Sequence, residues 1–188
     1  HARRACQTAL DMRSALPIFN ADLVSRGIDP IDFRVGIASG EVLVGNIGSQ
    51  DRFNYTVLGD TVNLASRLEA TSKEYGTHII VSEGTYTLVK EQFKFRKLDL
   101  LTVKGKNEAV GIYELIAPVG NLEIDTSWYD EYERAFALYA DGEYLEAGKI
   151  WEAQMHIDPP SGVMAHRCHD ILQGLLVVEG GVYHMTHK

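Results

Sequence analysis

Asn63 and Arg67 are the residues of this 188-residue chain whose types and spacing best suit chemistry. On a helix, side chains four apart lie on one face, one turn above the other. An amide that can donate or accept then stands beside a guanidinium whose fixed fork of donors fits phosphate oxygens. Such a pair suits an anion or a polar reacting group. The same spacing occurs where polar residues only cover a helix edge, so the pair alone leaves both readings open. Two other constellations are weaker. Gly45-Asn46-Ile47-Gly48-Ser49 is glycine-rich, but the lysine and hydroxyl of a phosphate loop do not follow its second glycine, so a plain bend is the reading. His166, Cys168 and His169 cluster near the end, yet a metal site needs about four ligands at defined spacing and no second cluster completes this one.

The elements that must hold the pair are legible around it. Tyr55, Val57 and Leu58 are strand formers, with Thr56 between them on the other face. Gly59 breaks the strand, and Asp60 or Thr61 is the expected cap of a helix that carries Val62, Ala65 and Leu68 as an apolar stripe. Upstream, Ala2 to Val24 reads as a helix with Ala5, Leu10, Met12, Leu16 and Phe19 at imperfect helical spacing, interrupted by Pro17. Phe33 to Ala38 is a strand in which Gly36 signals close approach of another backbone or side chain. Val42 to Ile47 is extended. Downstream follow a strand at Thr77 to Val81, a helix at Glu83 to Lys90, an extended piece at Phe93 to Val103, a turn at Gly105 and a hairpin partner at Ala109 to Ile116. This order indicates helices packed on a sheet.

Four motifs in this order resemble the C-terminal half of a class III adenylyl/guanylyl cyclase catalytic domain: FRVGIASGEVLVGNIGS from Phe33, YTVLGDTVNLASRLE from Tyr55, YGTHIIVSEGT from Tyr75 and VKGKNEAVGIYEL from Val103. The resemblance covers roughly residues 1 to 116. It implies an α+β fold, a partial ferredoxin-like cyclase sheet with helices. It also implies an enzyme that joins the 3′-oxygen of ATP to the α-phosphate, giving cyclic AMP and expelling pyrophosphate. By the resemblance, Asn63 holds the ribose region and Arg67 stabilises transition-state charge. Thr56 reads the purine edge, and Lys104 contacts the terminal phosphates. It implies Mg²⁺ or Mn²⁺ as cofactor, and a homodimer with shared sites whose contact lies near residues 45–49.

The family's two metal-binding aspartates belong to an FxDIxGFT-like strand and a DxFIGD-like hairpin, and neither motif is found. Asp60 belongs to a different motif and is not promoted to metal ligand. The expectation is therefore a fragment that lacks the metal-binding half, is inactive alone, and exposes a sheet edge and apolar surface that make it sticky, altered in its dimer or partly remodelled. Within the resemblance, a guanylyl cyclase is the alternative enzyme. A catalytically silent cyclase-like regulatory or interaction module is the alternative outside catalysis.

Charge divides the chain. Residues 1–116 hold 14 acidic and 14 basic side chains, whereas residues 117–188 hold 12 acidic and 4 basic and so carry the whole net charge of −8. An acidic tail attracts neither nucleic acid nor polyphosphate, so a triphosphate site belongs to the first part. The expected division is 1–117 for the cyclase portion and 118–188 for the tail. In the tail, Tyr129 to Tyr139 and Glu143 to His156 read as helices around an Asp141-Gly142 turn, ended by Pro159-Pro160, with a third helix at Ala165 to Leu176. The pattern resembles one tetratricopeptide-type hairpin, which cannot bury its own apolar face. It is expected to pack on the cyclase part, on a partner protein or on a further repeat. The histidines at 184 and 187 read as a disordered terminus. Two distant cysteines, Cys6 and Cys168, are no disulfide framework and suit a reducing cytosol. No run of 18 apolar residues or opening signal segment is found, so a cytoplasmic site is expected, with a membrane anchor on the parent protein left open.

Overall fold

The computed structural model describes residues 1–49, 52–102, 109–121, 127–178 and 180–184. The first helix, α1 (Ala2–Ser25), buries Ala2, Cys6, Ala9 and Leu10 against the sheet. This differs from the stripe expected from sequence: Met12 and Phe19 are about half exposed, because small residues allow closer approach to the sheet than the bulkier neighbouring face. Strand β1 (Val35–Ile37) follows, then an antiparallel hairpin of β2 (Leu43–Ser49) and β3 (Arg52–Leu58). Residues 45 to 49 are therefore not a separate bend. They continue β2, because each of them has a cross-strand partner between Arg52 and Thr56.

Helix α2 (Asp60–Tyr75) crosses over to β4 (Ile79–Ser82), which lies parallel to β1. Gly36 is where this crossover packs most tightly. A Cβ there would stand 2.1 Å from the Ala65 carbonyl oxygen and 2.5 Å from the Glu69 amide nitrogen, so only glycine admits the helix backbone. The chain continues through α3 (Glu83–Val89) and the long strands β5 (Phe93–Thr102) and β6 (Ala109–Pro118), which pair antiparallel.

Three helices follow: α4 (Ser127–Ala140), α5 (Tyr144–Gln154) and α6 (Pro159–Leu172). Helix α6 begins earlier than the sequence suggests. Pro159 and Pro160 start it rather than only ending α5, since proline is tolerated where the first-turn N–H has no helical partner. Asp158 caps it, accepting from the Ser161 amide at 3.0 Å. A last strand, β7 (Val182–His184), adds parallel to β5, so residue 184 lies in an ordered strand and not in a disordered terminus. The main sheet has the order β1-β4-β6-β5-β7.

The α+β class expected from the sequence holds. Strand β4 shows how the sheet divides its two faces. Ile79 and Val81 join α1 and α3 in one core, while Ile80 points to the other side, into a core shared by α2 and the tail helices. In that second core Trp151, Tyr132, Tyr139 and Leu98 are fully buried. Each large apolar side chain so buried contributes about 1.5–3 kcal/mol. Of the three surroundings open to the tail, the structure shows the first: it packs on the sheet.

Candidate functional site

Asn63 and Arg67 occupy consecutive turns of α2 and are both exposed. Gly59 alone joins β3 to α2, at φ 149°. A Cβ there would stand 3.3 Å from the Glu41 carbonyl oxygen, so the strand-to-helix corner is tight as well as conformationally special. The expected side-chain cap is absent. Gly59 is the N-cap, with its carbonyl accepting from Val62 and Asn63. Thr61 instead donates its hydroxyl to the Glu41 carbonyl at 3.3 Å, tying the helix start to the turn before β2. Asp60 sits in the first turn, where a negative charge suits the helix dipole.

Thr56 lies on β3 directly opposite Gly45 of β2 and is partly buried. A glycine across the ladder leaves the threonine hydroxyl without a facing side chain, and nothing lies within 4 Å of where the Gly45 Cβ would be. The structure thus places Thr56, Asn63 and Arg67 on one strand–corner–helix unit. Lys104 lies outside the described residues. Val62 of the expected apolar stripe is 37% exposed, Ala65 is partly buried and Leu68 is buried, so the stripe sinks into the core along α2.

The hairpin that feeds α2 is apolar and uncovered. Leu43, Val44, Tyr55 and Leu58 are all exposed, with Tyr55 at 76%. Among the described residues no three or more histidine, cysteine or carboxylate groups gather to hold a metal ion. The His166, Cys168 and His169 cluster diverges. Cys168 is buried in the core, where burial pushes its thiol up to about 12, while both histidines are exposed.

The far end of α2 is built differently. Tyr75 is 1% exposed, its hydroxyl donating to Asp99 of β5 and accepting from Arg167 Nη2 of α6 at 2.8 Å. Arg167 also meets Asp99 through Nη1 at 2.5 Å, and Tyr183 of β7 stacks on its guanidinium at 4.0 Å. Burial pushes the Asp99 carboxyl up, opposed by Arg167 and by the Tyr75 hydrogen bond. Burial also raises the Tyr75 hydroxyl well above its ordinary value, so it remains a donor. A second buried cluster lies beside the first. Arg96 binds Glu114, its cross-strand partner, and Asp158 at 2.8 Å, under the rings of Trp128, Tyr129 and Tyr132. None of these buried residues stood out in the sequence, because their partners lie 62 to 92 residues away or across a strand pair.

A parallel pair bridged by a helix, with an antiparallel hairpin before that helix and an amide–guanidinium pair on it, defines an α+β fold of helices on a mixed sheet. The family model described as the adenylate and guanylate cyclase catalytic domain matches residues 1–116, and the chain belongs to that family. Adenylate cyclase 1 of Rhizobium meliloti (strain 1021) is 40% identical over 119 residues, covering 63% of this chain and 18% of that protein. The terminal-differentiation specific adenylate cyclase of Dictyostelium discoideum is 33% identical over 147 residues, covering 73% of this chain and 7% of that protein. The chain thus spans less than a fifth of the length of these relatives. Among solved structures, the adenylyl cyclase CyaB from P. aeruginosa is 38% identical with a TM-score of 0.52, covering 57% of this chain and 54% of that one. The guanylyl cyclase Cya2 is 29% identical with a TM-score of 0.54, covering 66% and 62%.

Proposed function

We propose that this chain is part of an adenylate cyclase that converts ATP to cyclic AMP and pyrophosphate in signal transduction. The ribose 3′-oxygen attacks the α-phosphorus, the bond to the β-phosphate oxygen breaks, and the 3′-hydroxyl proton is lost. Negative charge grows on the phosphoryl oxygens and the leaving group, so catalysis is mainly orientation and electrostatic stabilisation. Asn63 orients the ribose. Arg67, one turn further along the same exposed face, stabilises the charge at phosphorus. The uncovered hydroxyl of Thr56 accepts from the adenine amino group, and Lys104 supports the terminal phosphates. The observation that supports this reading is the continuous β3–Gly59–α2 unit, which carries Thr56, Asn63 and Arg67 on consecutive elements.

Mg²⁺ or Mn²⁺ supplies charge neutralisation to the triphosphate when bound. The described residues do not fit such an ion, since they gather no cluster of three candidate ligands. We assign the metal carboxylates to a part of the catalytic domain outside this sequence, and the short chain is accordingly inactive alone. The exposed apolar hairpin supports a shared site at a homodimer contact. A cytosolic setting supplies ATP; among the described residues no helix is long and apolar enough to cross a membrane. We treat residues 1–117 as the cyclase portion and 118–188 as its tail.

A guanylyl cyclase is the second reading, supported by the likeness to Cya2. The test is cyclic nucleotide formation from ATP and from GTP, with Mn²⁺, by the short chain and by the full-length protein. Turnover of ATP by the longer protein alone supports the proposal. Activity in the short chain overturns the assignment of the metal ligands. Preference for GTP overturns the role of Thr56.

A further inference from the structure

We propose that Arg167 in the tail is a positioning residue for Asn63 and Arg67, acting through Tyr75 and Asp99, so that the acidic tail sets the orientation of α2. This inference rests on the cyclase reading above.

The anchors of α2 are unevenly placed. Its first two turns carry the exposed Val62, Asn63 and Arg67 on one side and follow an exposed hairpin, while Leu64 and the Ala65 backbone face the core and Gly36 on the other. Farther along, Leu68 is buried, and Tyr75 is held by a carboxylate from the sheet and a guanidinium from the tail. Directly after the helix, Gly76 lies against Pro159 at the start of α6: a Cβ on Gly76 would come within 2.6 Å of the proline ring. The tail therefore meets the end of α2 at two adjacent points, one polar and one apolar.

Tyr75 lies eight residues beyond Arg67, about 12 Å along the helix axis. A helix of this length moves as a rod, so displacement at its anchored end appears at its exposed end. Misplacing a catalytic group by about 1 Å costs on the order of a hundredfold in rate. Arg167 supplies the cation that Asp99 and Tyr75 share. Without it, the buried carboxylate keeps the Tyr75 hydroxyl and the Leu100 amide as donors but loses its counter-charge, which loosens the hold on the end of α2.

The experiment compares Tyr75→Phe, Arg167→Lys and Arg167→Met in the full-length protein, each with native Arg67 and with Arg67→Ala. Tyr75→Phe removes one oxygen and keeps the packing, so it remains informative where Arg167→Met fails to fold. With native Arg67, Tyr75→Phe is expected to lower kcat about tenfold with KM for ATP within about twofold, and Arg167→Lys to retain more activity than Arg167→Met. In the Arg67→Ala background the effect of Tyr75→Phe is expected to shrink to about threefold or less, since only Asn63 is then left to position. Amide hydrogen exchange across residues 60–68 is expected to rise about tenfold in Tyr75→Phe while β6 is unchanged. Lowered thermal stability with unchanged kcat, or the same loss in both backgrounds, overturns the proposal. Should the native full-length protein form no cyclic nucleotide, the cyclase reading fails. The exchange measurement still decides the coupling, which unchanged protection at 60–68 overturns.

Discussion

The two ends of α2 lie in opposite surroundings. At the start, Asn63 and Arg67 stand exposed beside an apolar hairpin with Tyr55 at 76% exposure. At the finish, Tyr75, Asp99 and Arg167 form a closed cluster in which each member is at most 6% exposed. The first arrangement sets an amide and a guanidinium at the surface. The second ties its buried polar groups to one another. Side chains assigned to chemistry sit at the surface, and side chains that hold the helix sit in the interior.

The contrast can be broken at either end. The largest effect is expected in the closed region: Arg96→Met strands Glu114 and Asp158 in the interior and should cost about 3–5 kcal/mol, read as a shift in denaturant midpoint. At the open end, Arg67→Ala in the full-length protein should lower cyclic nucleotide formation about a hundredfold or more. Its unfolding midpoint should stay within about 0.5 kcal/mol of native, as for an exposed surface substitution. Equal losses of stability from both substitutions would erase the distinction. Thr56→Val removes a hydroxyl and keeps the shape, so it should narrow the preference for ATP over GTP by about tenfold, measured as a ratio of kcat/KM.

The smallest effect concerns the two thiols. Burial pushes Cys6 up to about 11 and Cys168 to about 12, so both stay protonated in the native protein at neutral pH. In the unfolded chain they ionise near the ordinary thiol value, so they favour unfolding as pH rises from about 8.5 toward 11, and have no such effect below that window. Alkylation at pH 8 should accordingly track global unfolding, with no fast phase.

Local features were legible in the sequence, and distant ones were not. The strand–glycine–helix unit, the meaning of Gly36, the β5–β6 hairpin and the tail helices all follow from neighbours within a few residues. The stretch from Gly45 to Ser49 misled because two glycines suggest a bend, whereas pairing with residues 52 to 56 holds it straight. Strand β7 has only three residues, and its pairing with β5 spans about eighty positions of sequence, so no local signal announces it. The same holds for Arg96 and Arg167, whose partners Asp158 and Asp99 lie 62 and 68 positions away. Of the site, Thr56, Asn63 and Arg67 were legible as residue types on the right elements; the anchor behind them was not.

The seam between tail and sheet also has a consequence for synthesis. Arg96 meets Asp158 62 residues later, and Asp99 meets Arg167 68 residues later. Arg96 meets Glu114 of β6 early, but at translation rates of about 5–20 residues per second it waits roughly 3–12 s for Asp158, and Asp99 waits roughly 3–14 s for Arg167. Throughout that interval β5 has an open edge and two charges that cannot yet enter a core. The far half of the sheet is therefore assembled late, and a nascent chain paused before residue 158 is the form most exposed to chaperones and to aggregation.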